Sequence, residues 1–273
     1  MVYCRLLKAL YGCVQVSKLW YEKLSSFLKL LGYERCPVEP CVIRRIENGV
    51  VYTLLIYVDD ILVKGDDKEF ECLRAAFMKE FQWIMMEVSN VLLYLGMLVE
   101  LHDGYVIIDM LLYIEKILKD YEDLGKQGTR GSKSTFEVDE SAEVLSKLEK
   151  KKFHMTVAKL LYLCKRARPD IMTVVSFLCT RVKGPTVEDK VKLIELLEYL
   201  NRTKSYKYRV EPKGLFRVEV YIDASFGTHG DSKAHTGSVV FVAGAPVVRA
   251  SGSRDALQRA PQKQNWWGYR IMW

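Results

Sequence analysis

The sequence predicts an α+β protein in which antiparallel sheets pack on helices. Three patterns carry that prediction. Residues 41–65 hold three apolar, β-branched runs separated by turn residues. Residues 17–31 and most of 148–199 repeat apolar side chains at helical spacing. From Phe216 a second alternating pattern begins, with Val218, Val220 and Ile222 on one face of a strand.

The elements follow in order. Trp20, Leu24, Phe27, Leu28 and Leu31 share one face of a helix with Ser17 as its expected N-cap and Gly32 as its stop. Pro37 and Pro40 end helical character, and Cys41-Val42-Ile43 leads into Asn48-Gly49, a two-residue hairpin signal. Val50 to Val58 is rich in β-branched and aromatic residues. Asp59-Asp60 interrupts it, Ile61-Leu62-Val63 resumes it and Gly65 ends it, so a three-stranded meander is expected with two acids at its second turn. Asp66 or Asp67 caps a helix to about Phe81, with Phe70, Leu73, Phe77 and Phe81 on its stripe. Strands are expected at Leu92–Leu101 and Tyr105–Ile108, joined by His102-Asp103-Gly104, then a helix over roughly Leu112–Tyr121. Residues 125–146 are polar and read as a linker. Helices follow to Tyr199, broken at Pro169 and Gly184-Pro185, and Gly237–Val248 gives two further strands. Met85 and Met86 are expected in the core, and residues 251–273 show no period.

Composition excludes several classes. With 49% hydrophobic and 27% charged residues, 17 Gly and 7 Pro, the chain is neither wholly disordered nor collagen-like. No apolar run approaches the roughly 20 residues that span a bilayer, so no membrane partner is expected. The start of the chain has no secretory apolar region, which makes a reducing compartment the expectation. The seven Cys (Cys4, Cys13, Cys36, Cys41, Cys72, Cys164, Cys179) form no C-x-x-C pair and read as free, mostly buried thiols rather than a zinc site. The net charge of +7 is unevenly spread: from Lys147 to Lys213 basic residues outnumber acidic ones by more than two to one. A polyanion partner fits that excess, and so does a solvated basic helix surface.

The chemistry lies in Tyr57-Val58-Asp59-Asp60. Two carboxylates ~4 Å apart repel by about 4 kcal/mol at an effective dielectric of 20, so beside an apolar sheet they require a proton, a cation or full hydration. Paired divalent ions are the productive answer, because two Mg²⁺ ions can clamp the attacking and leaving oxygens of a phosphoryl displacement. The alternative is a solvated hairpin tip, where Asp is common.

The string Leu54-Leu55-Ile56-Tyr57-Val58-Asp59-Asp60-Ile61-Leu62-Val63 resembles the catalytic hairpin of reverse transcriptases. Upstream, Leu7-Lys8-Ala9-Leu10-Tyr11-Gly12 with Gln15 and Trp20-Tyr21 is similar to a stretch of copia-type LTR retrotransposon polyproteins. Tyr94-Leu95-Gly96-Met97 resembles the segment that forms the primer grip in that family. Lys159 to Leu163, Arg168-Pro169-Asp170-Ile171, Pro185-Thr186 and Leu197-Glu198-Tyr199-Leu200 match further motifs in order. Val220 to Ser225 with His235-Thr236-Gly237 resembles the opening of a ribonuclease H domain.

The resemblance implies a palm-like antiparallel sheet packed on helices, a helical connection and a partial ribonuclease H-like α/β domain. Its domains would be a partial palm and thumb over 1–124, the linker 125–146, a basic connection over 147–214, the ribonuclease H-like part over 215–250 and an unrelated or frameshifted tail over 251–273. The implied activity is RNA-directed DNA polymerisation. Asp59 and Asp60 would be the catalytic metal ligands, Tyr57, Val58, Tyr11 and Gly12 the nucleotide-proximal residues, and Leu95, Gly96 and Met97 the primer grip. Asp223 would be the first ribonuclease H metal ligand. A helix-entry turn is the alternative for Tyr11-Gly12, a plain hairpin for Leu95-Gly96-Met97 and a turn or cap for Asp223. The implied cofactor is Mg²⁺ or Mn²⁺. The implied partners are an RNA/DNA template–primer duplex, dNTP and other Pol chains, inside the cell in cytoplasm or nucleus.

The departures bear on activity. The family places a third palm carboxylate upstream in an apolar-x-Asp-apolar motif, and no residue before Tyr57 fits it; no Asp precedes Asp59 at all. Val14 and Ser17 replace the usual Lys and Pro, and the Ser-Ser-x-Glu-Ala-Glu expected after Val248 is missing. The expectation is therefore weak metal binding and a polymerase lineage inactive in this chain, with a non-enzymatic nucleic-acid-binding remnant as the alternative.

Overall fold

A computed structural model describes residues 15–81, 84–121, 124–125, 127–131, 133–139, 141–225, 234–254 and 269–271. Among them are six α-helices and twelve strands in three four-stranded antiparallel sheets. The chain divides into two compact units, Met1–Ser89 and Asn90–Trp273. The division falls inside the expected 1–124 segment.

The first unit opens with α1 (Val16–Leu30). Its N-cap is Gln15 without a side-chain cap bond, so Ser17 lies inside the first turn rather than capping it. The C-terminus behaves as the sequence indicates. Gly32 sits at φ +83°, a conformation glycine adopts without a Cβ clash. There the N–H of Gly32 reaches Lys29 O (3.0 Å) and that of Tyr33 reaches Leu28 O (3.0 Å), a Schellman closure.

The sheet that follows has order β1-β2-β3-β4, made of Glu34–Arg35, Val42–Glu47, Val50–Tyr57 and Asp60–Lys64. The expected meander is β2–β4; the two-residue β1 at its edge is too short to leave a periodic signal. Asn48 and Gly49, at φ +50° and +79°, form the primed turn that suits strand twist. Asp66 caps α2 (Asp67–Glu80), its Oδ1 accepting from the Glu69 N–H at 2.8 Å. Leu24 and Leu28 of α1, Leu73 and Phe77 of α2, and Ile43, Tyr52, Leu54 and Ile56 of the sheet form one buried core. Both helices therefore cover the same sheet face. Phe70 stays half-buried, and Met85, expected inside, is 98% exposed.

Buried charge locks this core. Glu69, on α2, accepts from the Tyr33 hydroxyl and from Arg45, which also pairs with Glu47 at 2.9 Å and lies over the Tyr33 and Tyr52 rings. Burial and the Glu69 carboxylate raise the Tyr33 phenol above its ordinary pKa, keeping it a proton donor.

The second unit begins with β5 (Val91–Tyr94), β6 (Met97–His102) and β7 (Tyr105–Asp109). The strand expected over Leu92–Leu101 is thus two strands, divided by a turn at Leu95-Gly96 whose apolar flanks hide it from hydropathy. β8 (Tyr208–Val210) returns from far along the chain to complete the sheet β5-β6-β7-β8. Helices α3 (Leu111–Leu118), α4 (Lys147–Arg166), α5 (Met172–Arg181) and α6 (Val187–Arg202) build the larger core, with Leu160, Leu163, Val175, Leu178, Leu196 and Leu200 fully buried. Residues 125–146, read as a linker, pack onto this bundle. Leu145 is buried and its N–H reaches Pro185 O at 2.9 Å, Thr135 is buried in a 3₁₀ turn over Lys133–Phe136, and Val144 bridges Thr186. A few anchors within a polar stretch hold it, and composition averages them away.

The last sheet has order β11-β10-β9-β12, formed by β9 (Val218–Ser225), β10 (Ala234–Val242), β11 (Ala245–Arg254) and β12 (Tyr269–Ile271). Part of the expected tail therefore belongs to a sheet: β11 runs to Arg254 and β12 pairs with Val218–Val220 of β9.

Candidate functional site

The turn between β3 and β4 is tighter than expected. Tyr57 pairs directly with Asp60, leaving only Val58 and Asp59 as the loop. Asp60 therefore opens β4, and Asp59 alone stands at the tip with Val58. Val58 has φ +55°. A β-branched residue rarely adopts that conformation, so the turn stores strain that its neighbours must hold. The holding group is Trp20, whose indole N–H donates to Val58 O at 2.6 Å while its ring packs on Phe81 at 5.4 Å. Reading Trp20 only as part of an apolar stripe missed this second role; the aromatic with a polar tip was the available signal.

Strand alternation decides what faces the same way as the acid. Tyr52, Leu54 and Ile56 of β3 point into the core, so Thr53, Leu55 and Tyr57 point outward. Register then adds Asp60 opposite Tyr57, Leu62 opposite Leu55, and both Lys64 and Arg44 opposite Thr53. Glu34 lies opposite Arg44, so the open face of this sheet carries two carboxylates, one phenol and two cations over an apolar floor. Tyr57, Val58, Asp59 and Asp60 are all exposed.

These residues were tested as a divalent-metal site. No group of three His, Cys, Asp or Glu that could hold a metal ion exists among the described residues. Asp59 and Asp60 offer two carboxylates on a solvated turn, and among the described residues no further ligand closes the coordination shell, whereas Mg²⁺ demands near-octahedral oxygen ligation. The donor set does not fit a paired-metal centre.

The other expected sites fall apart from this turn in character. Tyr11 and Gly12 lie outside the described residues. Leu95 and Gly96 form a two-residue turn, φ +51° and +71°, and Met97 opens β6 packed against the helical core. The turn is tied down by Tyr162, whose hydroxyl donates to Leu95 O. Tyr162 in turn stacks under Arg166 at 3.5 Å and lies 5.3 Å from Tyr113. Asp223 lies on β9 opposite Gly237, exposed, two residues before the strand ends.

The motif at Arg168-Pro169-Asp170 has a different meaning from the acidic turn. Arg168 is 2% exposed. Its Nε and Nη2 grip Asp170 at 2.9 and 2.7 Å, and Nη1 and Nη2 reach Thr203 O and Oγ1 at 3.0 and 2.7 Å. Tyr199 donates to Asp170 at 2.9 Å. Burial pushes the Asp170 carboxyl up, but Arg168 and Tyr199 outweigh it and hold the group below the ordinary Asp range. The loop between α4 and α5 is thereby bolted to the end of α6. Pro185-Thr186 is likewise architectural: Thr186 and Asp189 form a buried capping box at the start of α6, and Arg181 grips Asp189 at 3.1 Å.

The thiols divide rather than bury together. Among the described residues Cys164 is buried, with burial pushing its pKa up to about 12, while Cys41 and Cys72 are exposed. No helix among the described residues is long and apolar enough to cross a membrane.

An antiparallel sheet with an acidic turn, backed by two helices and followed in the chain by a helical unit, is the setting in which the comparisons with known proteins are read. The family model for reverse transcriptase (RNA-dependent DNA polymerase) matches residues 2–130. That match, with the transposon relatives that follow, supports a copia-type retrotransposon reverse transcriptase fragment. It is 28% identical over 263 residues to a Saccharomyces cerevisiae protein assigned to transposon Ty5-1, covering 93% of this chain and 83% of that one. It is 26% identical over 208 residues to the retrovirus-related Pol polyprotein from transposon TNT 1-94 of Nicotiana tabacum, covering 73% of this chain and 16% of that protein. An uncharacterized mitochondrial protein of Arabidopsis thaliana is 24% identical over 203 residues, 74% of this chain and 83% of its own length. No solved structure matches the chain at a significant level. The reverse transcriptase family uses divalent metal ions and binds a nucleic-acid template and dNTP.

Proposed function

We propose that this chain is a nucleic-acid-binding domain of reverse-transcriptase descent that does not by itself join nucleotides. One observation carries the reading. The acidic turn supplies two exposed carboxylates, and among the described residues no third metal-ligating group completes them. A two-metal displacement needs a donor set that fixes both ions, which this turn does not offer.

Duplex binding rests on other features. The open face of the first sheet carries Arg44 and Lys64 opposite Thr53, about four residues along β3 from Tyr57 and Asp60, so cations and an aromatic ring share one surface. The Lys147–Lys213 segment adds a basic helical surface. Such groups contact phosphate rather than bases, so the logarithm of affinity falls linearly with the logarithm of salt concentration. The Tyr162 bond to Leu95 O supports reading Leu95-Gly96-Met97 as a fixed turn against which a primer strand lies. The meander β9–β11, with Asp223 on its first strand, supports reading residues 215–250 as the opening of a ribonuclease H-type sheet.

Primer extension on an RNA template with Mg²⁺ or Mn²⁺, run beside fluorescence anisotropy of the same template–primer, tests the proposal. The expected outcome is no extension together with binding that weakens by roughly tenfold or more between about 50 and 200 mM salt. Template-dependent incorporation by this chain alone would overturn it, and so would an absence of duplex binding at low salt.

A further inference from the structure

Two surfaces of the Asn90–Trp273 unit carry features that phosphate binding does not use, one of them within the basic Lys147–Lys213 segment. The first is the solvent side of α4. Leu148 is 78% exposed and Met155 52% exposed. They lie at i and i+7, two turns apart on one stripe of the helix. Lys147 and Lys151 flank Leu148 and make no ion pair among the described residues. Leu148 and Met155 themselves border a shallow recess of about 390 Å³ that reaches to Asp120, with Lys151, Lys152 and Lys159 on its walls. Lys152 and Lys159 are engaged there with the Asp120 carbonyl and carboxylate, at 2.7 and 2.8 Å.

The second surface has the opposite sign. A recess of about 320 Å³ opens where residues 129–137 meet α5 and α6. Among the described residues Glu137, Glu188 and Glu195 line it with one cation, Lys192, whose ammonium donates to the Glu137 carbonyl. Glu188 and Glu195 make no ion pair among the described residues. Val174 and Val191 supply its apolar wall. The two recesses share no lining residue.

The geometry points to head-to-tail self-association, in which the basic α4 stripe of one copy docks into the acidic α6 recess of a second copy. Charge complementarity selects the partner. Glu188 and Glu195 meet Lys147 and Lys151, and Val174 and Val191 receive Leu148 and Met155. A nucleic-acid backbone satisfies the lysines but gains nothing from two exposed apolar side chains placed among them. A symmetric pairing of α4 with α4 sets lysine against lysine, which disfavours it. Unlike patches on one unit make a heterologous interface, and such an interface propagates into rings or short filaments rather than stopping at a closed dimer. Because both patches are solvated, the association is screened by salt.

Sedimentation velocity of the full chain tests this, with paired charge reversals. The wild type is expected to grow in mean mass with concentration at about 50 mM salt and to return to monomer at about 500 mM. Lys147→Glu/Lys151→Glu and Glu188→Lys/Glu195→Lys are each expected to remain monomeric, with circular dichroism melts like the wild type. Mixing the two variants restores association, because each then presents the complement of the other. A wild type that stays monomeric at low salt overturns the inference. So does a variant that associates as the wild type does, or a mixture that fails to recover. If Lys147→Glu/Lys151→Glu abolishes duplex binding while the wild type shows no self-association, α4 is a phosphate surface and the inference is overturned in favour of nucleic acid.

Discussion

The acidic turn of the first unit and the Arg168 knot of the second are both inherited charged motifs, and they have opposite physics. Asp59 and Asp60 are exposed, unclosed and held in place by a strained valine and one tryptophan bond. Arg168 and Asp170 are sequestered and satisfied at nearly every polar atom by each other, Thr203 and Tyr199. The first is chemically available but incomplete. The second is complete and chemically silent. A motif in a sequence does not reveal which of these it is; burial and the tally of hydrogen-bond partners do.

The sharpest way to break the contrast is to cut the knot. Arg168→Met leaves the Asp170 carboxylate without its partner in a largely buried position and is expected to destabilise the second unit by about 3–5 kcal/mol, read by urea denaturation followed by circular dichroism. A loss below about 1 kcal/mol would mean that the network is decorative, as exposed pairs are.

Core truncation comes next. Leu163→Ala and Leu54→Ala each remove a fully buried side chain, one from each unit, and each is expected to cost roughly 2–5 kcal/mol in its own unit. If the units are energetically separate, far-UV circular dichroism will register mainly the first change, and Trp20 fluorescence mainly the second. Loss of both signals together in either variant would show one cooperative body instead.

Acid should act on the second unit in a defined direction. Asp170 titrates below its unfolded value, near 4, so its contribution to stability is fully present above that pH and is lost as pH falls through the lower, folded pKa. Glu149, held down to about 2 by Lys190 and Ser146, adds to stability in the same sense. The urea midpoint is expected to fall on acidification below about pH 4, less steeply in Arg168→Met, where Asp170 loses its partner. An equal slope in both proteins would remove Asp170 from the account.

Smaller still is the cap. Thr186→Ala at the start of α6 is expected to cost about 1 kcal/mol, since it deletes one half of a capping box. Smallest of all is the acidic turn: Asp59→Asn/Asp60→Asn is expected to shift stability by no more than about 0.5 kcal/mol, because both side chains are solvated.

Much of this fold could be read from the sequence. The Leu24/Leu28 stripe, the Gly32 stop, the Asn48-Gly49 turn and the Asp66 cap all appear where local chemistry puts them, because each depends on neighbours within four or five residues. What local pattern missed is long-range. β8 is a short strand that exists only because the distant β7 pairs with it, and the two-residue β1 is too short to leave a pattern. The polar 125–146 stretch is held by Leu145 and Thr135, two anchors that composition hides. The turn at Leu95-Gly96 was open in the sequence as a plain hairpin, although the apolar run passes through it without a polar break. At the candidate site the acidic pair and its hairpin were readable, but the Trp20 bond to Val58 spans 38 residues and required coordinates. Arg168 and Asp170 were visible as a motif, and only burial showed that they fasten helices together.

The central claim is that the acidic turn does not hold a metal pair, and Mn²⁺ titration of the full chain, followed by electron paramagnetic resonance, tests it most directly. The account predicts only weak, non-saturating binding, unchanged in Asp59→Asn/Asp60→Asn. A saturable site of one or two ions per chain that disappears in that variant would contradict it.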